Sequence, residues 1–207
     1  MGIEKTLIFM VLSPILGLIV AFAFTIGVMY FLGKEKLAKV NSVFGRLQIA
    51  SSAFFSLTHG ANDGQKTMGV ITALLIAGHM LHSNSFVVPI PVILAAASAI
   101  GLGTFFGGWR IVRTMAFRLT PLRPYQGFCA ETGGGAILSS MAVFGIPVST
   151  THSISGAIMG TGASKRSSAV RWPMAKRIVY AWIITIPASA AVAAMILTLI
   201  NVITKMS

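Results

Sequence analysis

Residues 59–66 read His-Gly-Ala-Asn-Asp-Gly-Gln-Lys and set one carboxylate, Asp63, among an amide, an imidazole and an ammonium, with apolar sequence on both sides. Only three other acids occur. Glu4 and Glu35 lie at the edges of apolar segments where water reaches them, whereas Glu131 lies deep in one, followed by Thr132 and three glycines. An ionisable side chain at membrane depth is costly and generally faces a partner or a wet cavity, so Asp63 and Glu131 mark a functional site. A second constellation runs Pro147-Val148-Ser149-Thr150-Thr151-His152, three hydroxyls and an imidazole behind a proline.

Both constellations suit small ions. Asn62, Asp63, Glu131 and the hydroxyls of residues 149–151 supply the hard oxygens that a monovalent cation prefers, so Na⁺ is expected at Asn62, Asp63 and Glu131. Non-helical backbone survives at membrane depth only inside protein or beside a water-filled cavity. The glycines at 60 and 64 are therefore expected to break a helix and free carbonyls for a cation, while a half-helix N-terminus faces an anion. Gln65 and Lys66, next in the chain, place donors and positive charge where an oxyanion such as phosphate would bind, together with Ser149, Thr150 and Thr151.

Each residue has a plainer reading as well. Lys66 reads equally well as a snorkelling side chain that carries its charge to an interface. Hydroxyls on membrane helices commonly bond back to a carbonyl one turn away. His59 and His152 are either accessory ligands, proton carriers or hydrogen-bonded packing residues. Glu131, with nothing nearby in sequence to neutralise it, needs an ion, a proton or a distant cationic partner.

The elements that must position these groups are membrane helices. Across 207 residues, 55% are hydrophobic and 10% charged, with mean hydropathy +0.84, too apolar for a soluble domain of this length. Charge-free runs at 6–33, 67–109, 132–164 and 178–204 each exceed the roughly 20 residues that a spanning helix needs. The net charge of +12 does not signal nucleic acid, because thirteen of the sixteen Lys and Arg fall at 34–46, 110–123 and 165–177, between the apolar segments. The positive-inside rule makes those three stretches cytoplasmic loops. One cysteine, Cys129, excludes an internal disulfide and a thiolate zinc site.

Parity then constrains the layout: an even number of crossings must separate successive cytoplasmic stretches. Residues 6–32 enter from outside; 47–77 leave as a span interrupted at 60–64; 78–91, containing His79 and His82, form an external loop; 92–109 return. Residues 128–144 and 148–162, separated by Gly145-Ile146-Pro147, are two short spans or a re-entrant hairpin. Residues 178–203 leave again, kinked at Pro187, so both termini lie outside. The expected fold is all-α, a polytopic membrane bundle with discontinuous helices forming one transmembrane domain over 1–207 at the cell membrane.

The segments HGANDGQKTMG (59–69), GWRIVRT (108–114) and GIPVSTTHSISG (145–156), with Glu131, resemble the C-terminal half of the inorganic phosphate transporter (PiT) family of secondary transporters. That resemblance implies one repeat of an inverted-repeat transporter and symport of inorganic phosphate with a coupling cation, Na⁺ or H⁺, at the interface of two halves. It assigns Asn62, Asp63, Glu131 and residues 149–151 to ion or phosphate binding, with His59 and Gln65 beside them. The family's first half, with its own Asn-Asp segment, has no counterpart in these 207 residues. The chain is then a fragment of a longer one or works with a second subunit, and alone it is expected to transport nothing.

Two other functions compete. An intramembrane hydrolase would use Ser155 activated by His152, but the segment lacks the leading glycine of a Gly-x-Ser-Gly turn. A non-transporting structural or regulatory membrane subunit would need only the helices. Neither requires a cofactor, and the chain is not expected to be an enzyme.

Overall fold

A computed structural model describes residues 2–33, 35–81 and 86–206, with the side chains at 2, 3, 37 and 204–206 left aside. His82 and Lys34 fall outside the described residues. Six α-helices follow one another: α1 (Gly2–Leu32), α2 (Leu37–Ala77), α3 (Ile90–Arg113), α4 (Pro124–Val143), α5 (Thr150–Lys165) and α6 (Trp172–Met206). A π-helical segment, Thr114–Leu119, extends α3, and a 3₁₀ turn, Ser167–Ala169, follows α5. The chain divides into two units, Met1–Val170 and Arg171–Ser207; the second is essentially α6, which runs on through Pro187.

By length and apolar composition, three helical stretches among the described residues can cross a membrane: Glu4–Leu32, Ile90–Leu119 and Trp172–Ile203. The helices that carry the polar constellations, α2, α4 and α5, are less apolar because part of each surface faces other protein. α4 and α5 form the interior of the first unit, while α2 packs one face on α4 and leaves much of its surface exposed. α4 and α5 are packed side by side, joined by a turn in which Gly145 adopts φ +63°, a left-handed conformation that glycine takes without a Cβ penalty. The expected discontinuity between residues 144 and 148 is thus present as a helical hairpin.

Small residues allow that hairpin to nest against α1. A Cβ on Gly156 would run into the Pro14 carbonyl, one on Gly160 into the Leu18 carbonyl, and one on Gly17 would lie 2.6 Å from the Ser153 oxygen. Pro14 and Leu18 meet Gly156 and Gly160 in the same order, so α1 and α5 run parallel. α2 and α4 also run parallel: Gln48 abuts Gly127, Phe54 packs on Gly135 and Asn62 reaches Leu138. Leu138, Met141 and Val148 form a core packed by Phe9, Leu16 and Phe55 from α1 and α2.

The expected break at residues 60–64 is absent. α2 is continuous over 41 residues, about 60 Å at the α-helical rise. Two glycines in a helix cost about 1 kcal/mol each, whereas unwinding in an apolar setting would strand several backbone groups at a higher cost apiece. The basic stretches also differ from open loops. Lys39 and Arg46 lie on α2 itself, Arg110 and Arg113 on α3, and Lys165 closes α5. Contacts of Gln48 with Gly127 and of Gly162 with Thr120 and Val170 bring these helix ends within the first unit to one end of the bundle.

Candidate functional site

α2 presents its polar residues as a stripe. Ser52, His59, Asn62, Asp63 and Lys66 recur at helical spacing and so share a face, which in this fold meets α4 and the start of α5. At the upper end of that stripe, Asp63 receives three donors. Lys66 Nζ lies 3.1 Å from Oδ1, while His59 Nε2 lies 2.9 Å and Thr150 Oγ1 3.1 Å from Oδ2. Lys66 Nζ also donates to the Val148 carbonyl at 2.5 Å, in the link between α4 and α5 where that oxygen lies outside any helix. Asn62 is buried and donates from Nδ2 to the carbonyls of Thr58, 2.9 Å, and Leu138, 3.3 Å.

Ser149 caps α5, its Oγ accepting from His152 N at 3.4 Å. The start of a helix, with its N–H groups and the positive end of the dipole, suits an anion. Thr150 is buried with its hydroxyl on Asp63, and Thr151 is exposed. His152 is half-buried and donates to the backbone of Met10 on α1, which places it away from the Asp63 group as a packing residue. Beside this hairpin turn, a cavity of about 800 Å³ opens between the start of α1 and the link, lined by Lys5, Phe9, Met141, Gly145 and Pro147 among others.

Glu131 belongs to a separate cluster. Its Oε2 accepts from Ser51 Oγ at 2.5 Å and its Oε1 from Ser52 Oγ at 2.8 Å. The expected convergence of the two acids on one pocket does not occur, since Ser52 and Asp63 stand 11 residues apart on an unbroken helix, about 16 Å of rise. Accordingly, Asn62, Asp63 and Glu131 do not form a single oxygen cage, and hydroxyls rather than a cationic partner satisfy Glu131. Gln65 is exposed on the opposite side of α2, because two residues along a continuous helix turn it some 200° from Asp63. A broken helix would have freed it to turn inward; this one does not.

The sequence alone does not mark Ser51, Ser52 or the Val148 carbonyl. The serines are legible afterwards as members of the stripe, at 11 and 12 residues before Asp63. The carbonyl carries no sequence signal beyond its place behind Pro147. The serine-hydrolase arrangement is not formed: Ser155 Oγ donates to the Thr151 carbonyl at 2.6 Å and approaches Met115 sulfur at 3.8 Å.

Comparison with known proteins follows the same residues. A family model described as "Phosphate transporter family" matches residues 32–193. The chain belongs to that family. Over 194 residues it is 48% identical to a "Probable low-affinity inorganic phosphate transporter" of Rhizobium meliloti (strain 1021), covering 94% of this chain and 58% of the relative. A protein of the same description from Bacillus subtilis (strain 168) is 41% identical over 202 residues, covering 98% of this chain and 60% of the relative. The chain thus spans somewhat less than two thirds of these relatives, all named as transporters and none as an enzyme. A solved structure described as "The sodium-dependent phosphate transporter" superposes with a TM-score of 0.75 at 23% identity, over 89% of this chain and 63% of that one; it establishes the all-α membrane fold. Family membership and its apolar helices make this chain a multi-pass protein of the plasma membrane.

Proposed function

We propose that this chain supplies part of a transporter that carries inorganic phosphate across the membrane by symport with a cation, Na⁺ or H⁺. The observation that carries the proposal is the Asp63 group: a carboxylate, an ammonium and a hydroxyl gathered where α5 begins. Phosphate would be held by the N–H groups of the first turn of α5, by the Ser149, Thr150 and Thr151 hydroxyls and by Lys66, charge-assisted donors being the stronger kind. Asp63, and Glu131 at its own cluster, would answer the coupling cation. The names of the relatives support phosphate as the substrate, and the remainder of the transporter's length would come from sequence outside these 207 residues or from a second subunit.

The test replaces the aligned portion of the Bacillus subtilis relative by this chain and reconstitutes the chimera in proteoliposomes. Uptake of labelled phosphate should follow an imposed cation gradient and fall to background with Asp63→Asn or Glu131→Gln. Uptake indifferent to both substitutions would remove the proposal.

A further inference from the structure

The oxygen atoms around Asp63 form a set that a small monovalent cation would accept: a carboxylate, a hydroxyl from Thr150, and the Val148 carbonyl, left outside helical hydrogen bonding by the link between α4 and α5. Carbonyls freed in this way are what membrane transporters use to coordinate Na⁺. Here a cation already occupies the position, covalently attached to the chain. The ammonium of Lys66 touches both the carboxylate, at Oδ1, and the Val148 carbonyl, at 2.5 Å. It carries the same single positive charge as Na⁺ and donates to the oxygens that Na⁺ would ligate.

An i,i+3 ion pair on an open helix surface would be worth little. Two observations separate this one from that case. The ammonium ties α2 to a carbonyl 82 residues away, so removing it leaves both a carboxylate and a non-helical carbonyl without that donor. The other carboxylate oxygen, Oδ2, is held by His59 and Thr150, so an incoming ion could gain Asp63 only by displacing one of these donors. Because Lys66 sits one helical turn from Asp63 on the same stripe, its local concentration far exceeds that of a dissolved ion.

We propose that Lys66 is a built-in counter-cation that takes the place of Na⁺ at Asp63, so that this pocket does not bind Na⁺. The part concerning ion binding stands on geometry alone; its consequence, phosphate uptake that needs no Na⁺ at Asp63, rests on the transport reading above. Replacing Lys66 by a neutral side chain vacates the position and should convert the pocket into a Na⁺ site.

Thermal unfolding of the purified chain in detergent tests this at matched ionic strength in NaCl and choline chloride. A ligand that binds only the native state raises the midpoint. Asp63→Asn should leave the difference between the two salts unchanged in the wild type, whereas Lys66→Gln and Lys66→Met should acquire a saturable, Na⁺-specific rise of several degrees that is lost when Asp63→Asn is added. A Na⁺-specific rise in wild type that Asp63→Asn removes would overturn the inference, as would folded Lys66 variants that respond equally to both salts. Should both variants fail to fold, the wild-type comparison still decides. The chimera separates this inference from the broader reading. Uptake proceeding in choline medium supports both. Uptake that needs Na⁺ through Asp63 overturns the counter-cation and leaves transport standing; no uptake in any medium overturns transport, and the melting curves still judge the counter-cation.

Discussion

Glu131 shows what a carboxylate at membrane depth requires from single side chains. Two hydroxyls one residue apart, Ser51 and Ser52, each donate to one of its oxygens, and hydrogen bonds to a charged group are worth more than neutral ones. Ser51→Ala with Ser52→Ala should therefore destabilise the folded chain by about 1–3 kcal/mol, read by denaturation in detergent micelles. Glu131→Gln should cost much less in that background than in wild type, and additive losses would show that the three residues are not coupled. The acids themselves were legible from sequence, because a carboxylate inside an apolar run demands an explanation. Their partners were not, since serine in a membrane helix more often bonds to its own backbone, and Ser51 shares its one hydroxyl proton between Glu131 and the Gln48 carbonyl.

At the scale of elements, the pairing of α1 with α5 depends on backbone approaching backbone. Gly160→Ala would force a methyl onto the Leu18 carbonyl; overpacking of this kind costs about 1–3 kcal/mol. Gly101→Ala on α3, where a Cβ meets nothing within 4 Å, should instead be neutral or gain up to about 1 kcal/mol from helix propensity. Equal melting temperatures for the two variants would contradict the packing described. The helices and the hairpin turn at Gly145 could be read from apolar length and from helix breakers. The continuity of α2 could not, because Gly-Ala-Asn-Asp-Gly has the composition of a turn. What decides is the surrounding apolar packing, which charges more for unpaired backbone than for two glycines, and a local reading of five residues does not see that packing.

For the molecule as a whole, Lys39, Arg46, Arg110, Arg113 and Lys165 gather at one end of the first unit, and the positive-inside rule would put that end on the cytoplasmic side. Cysteines introduced one at a time test it, because Cys129 is fully buried and gives little background. In intact cells a membrane-impermeant maleimide should label Phe86→Cys and spare Lys39→Cys until the membrane is opened. The opposite pattern would invert the orientation. Many large apolar side chains, such as Phe105, Phe106 and Trp109, are exposed, and lipid or a partner surface would cover them.

The unbroken course of α2 has a mechanical corollary. Both acidic clusters are bolted to one stiff rod, one through Ser51 and Ser52, the other directly at Asp63, so neither end of the rod can slide or rotate without carrying the other. A displacement that began at one cluster would be carried along α2 toward the second, and the helix would then act as the pushrod between them.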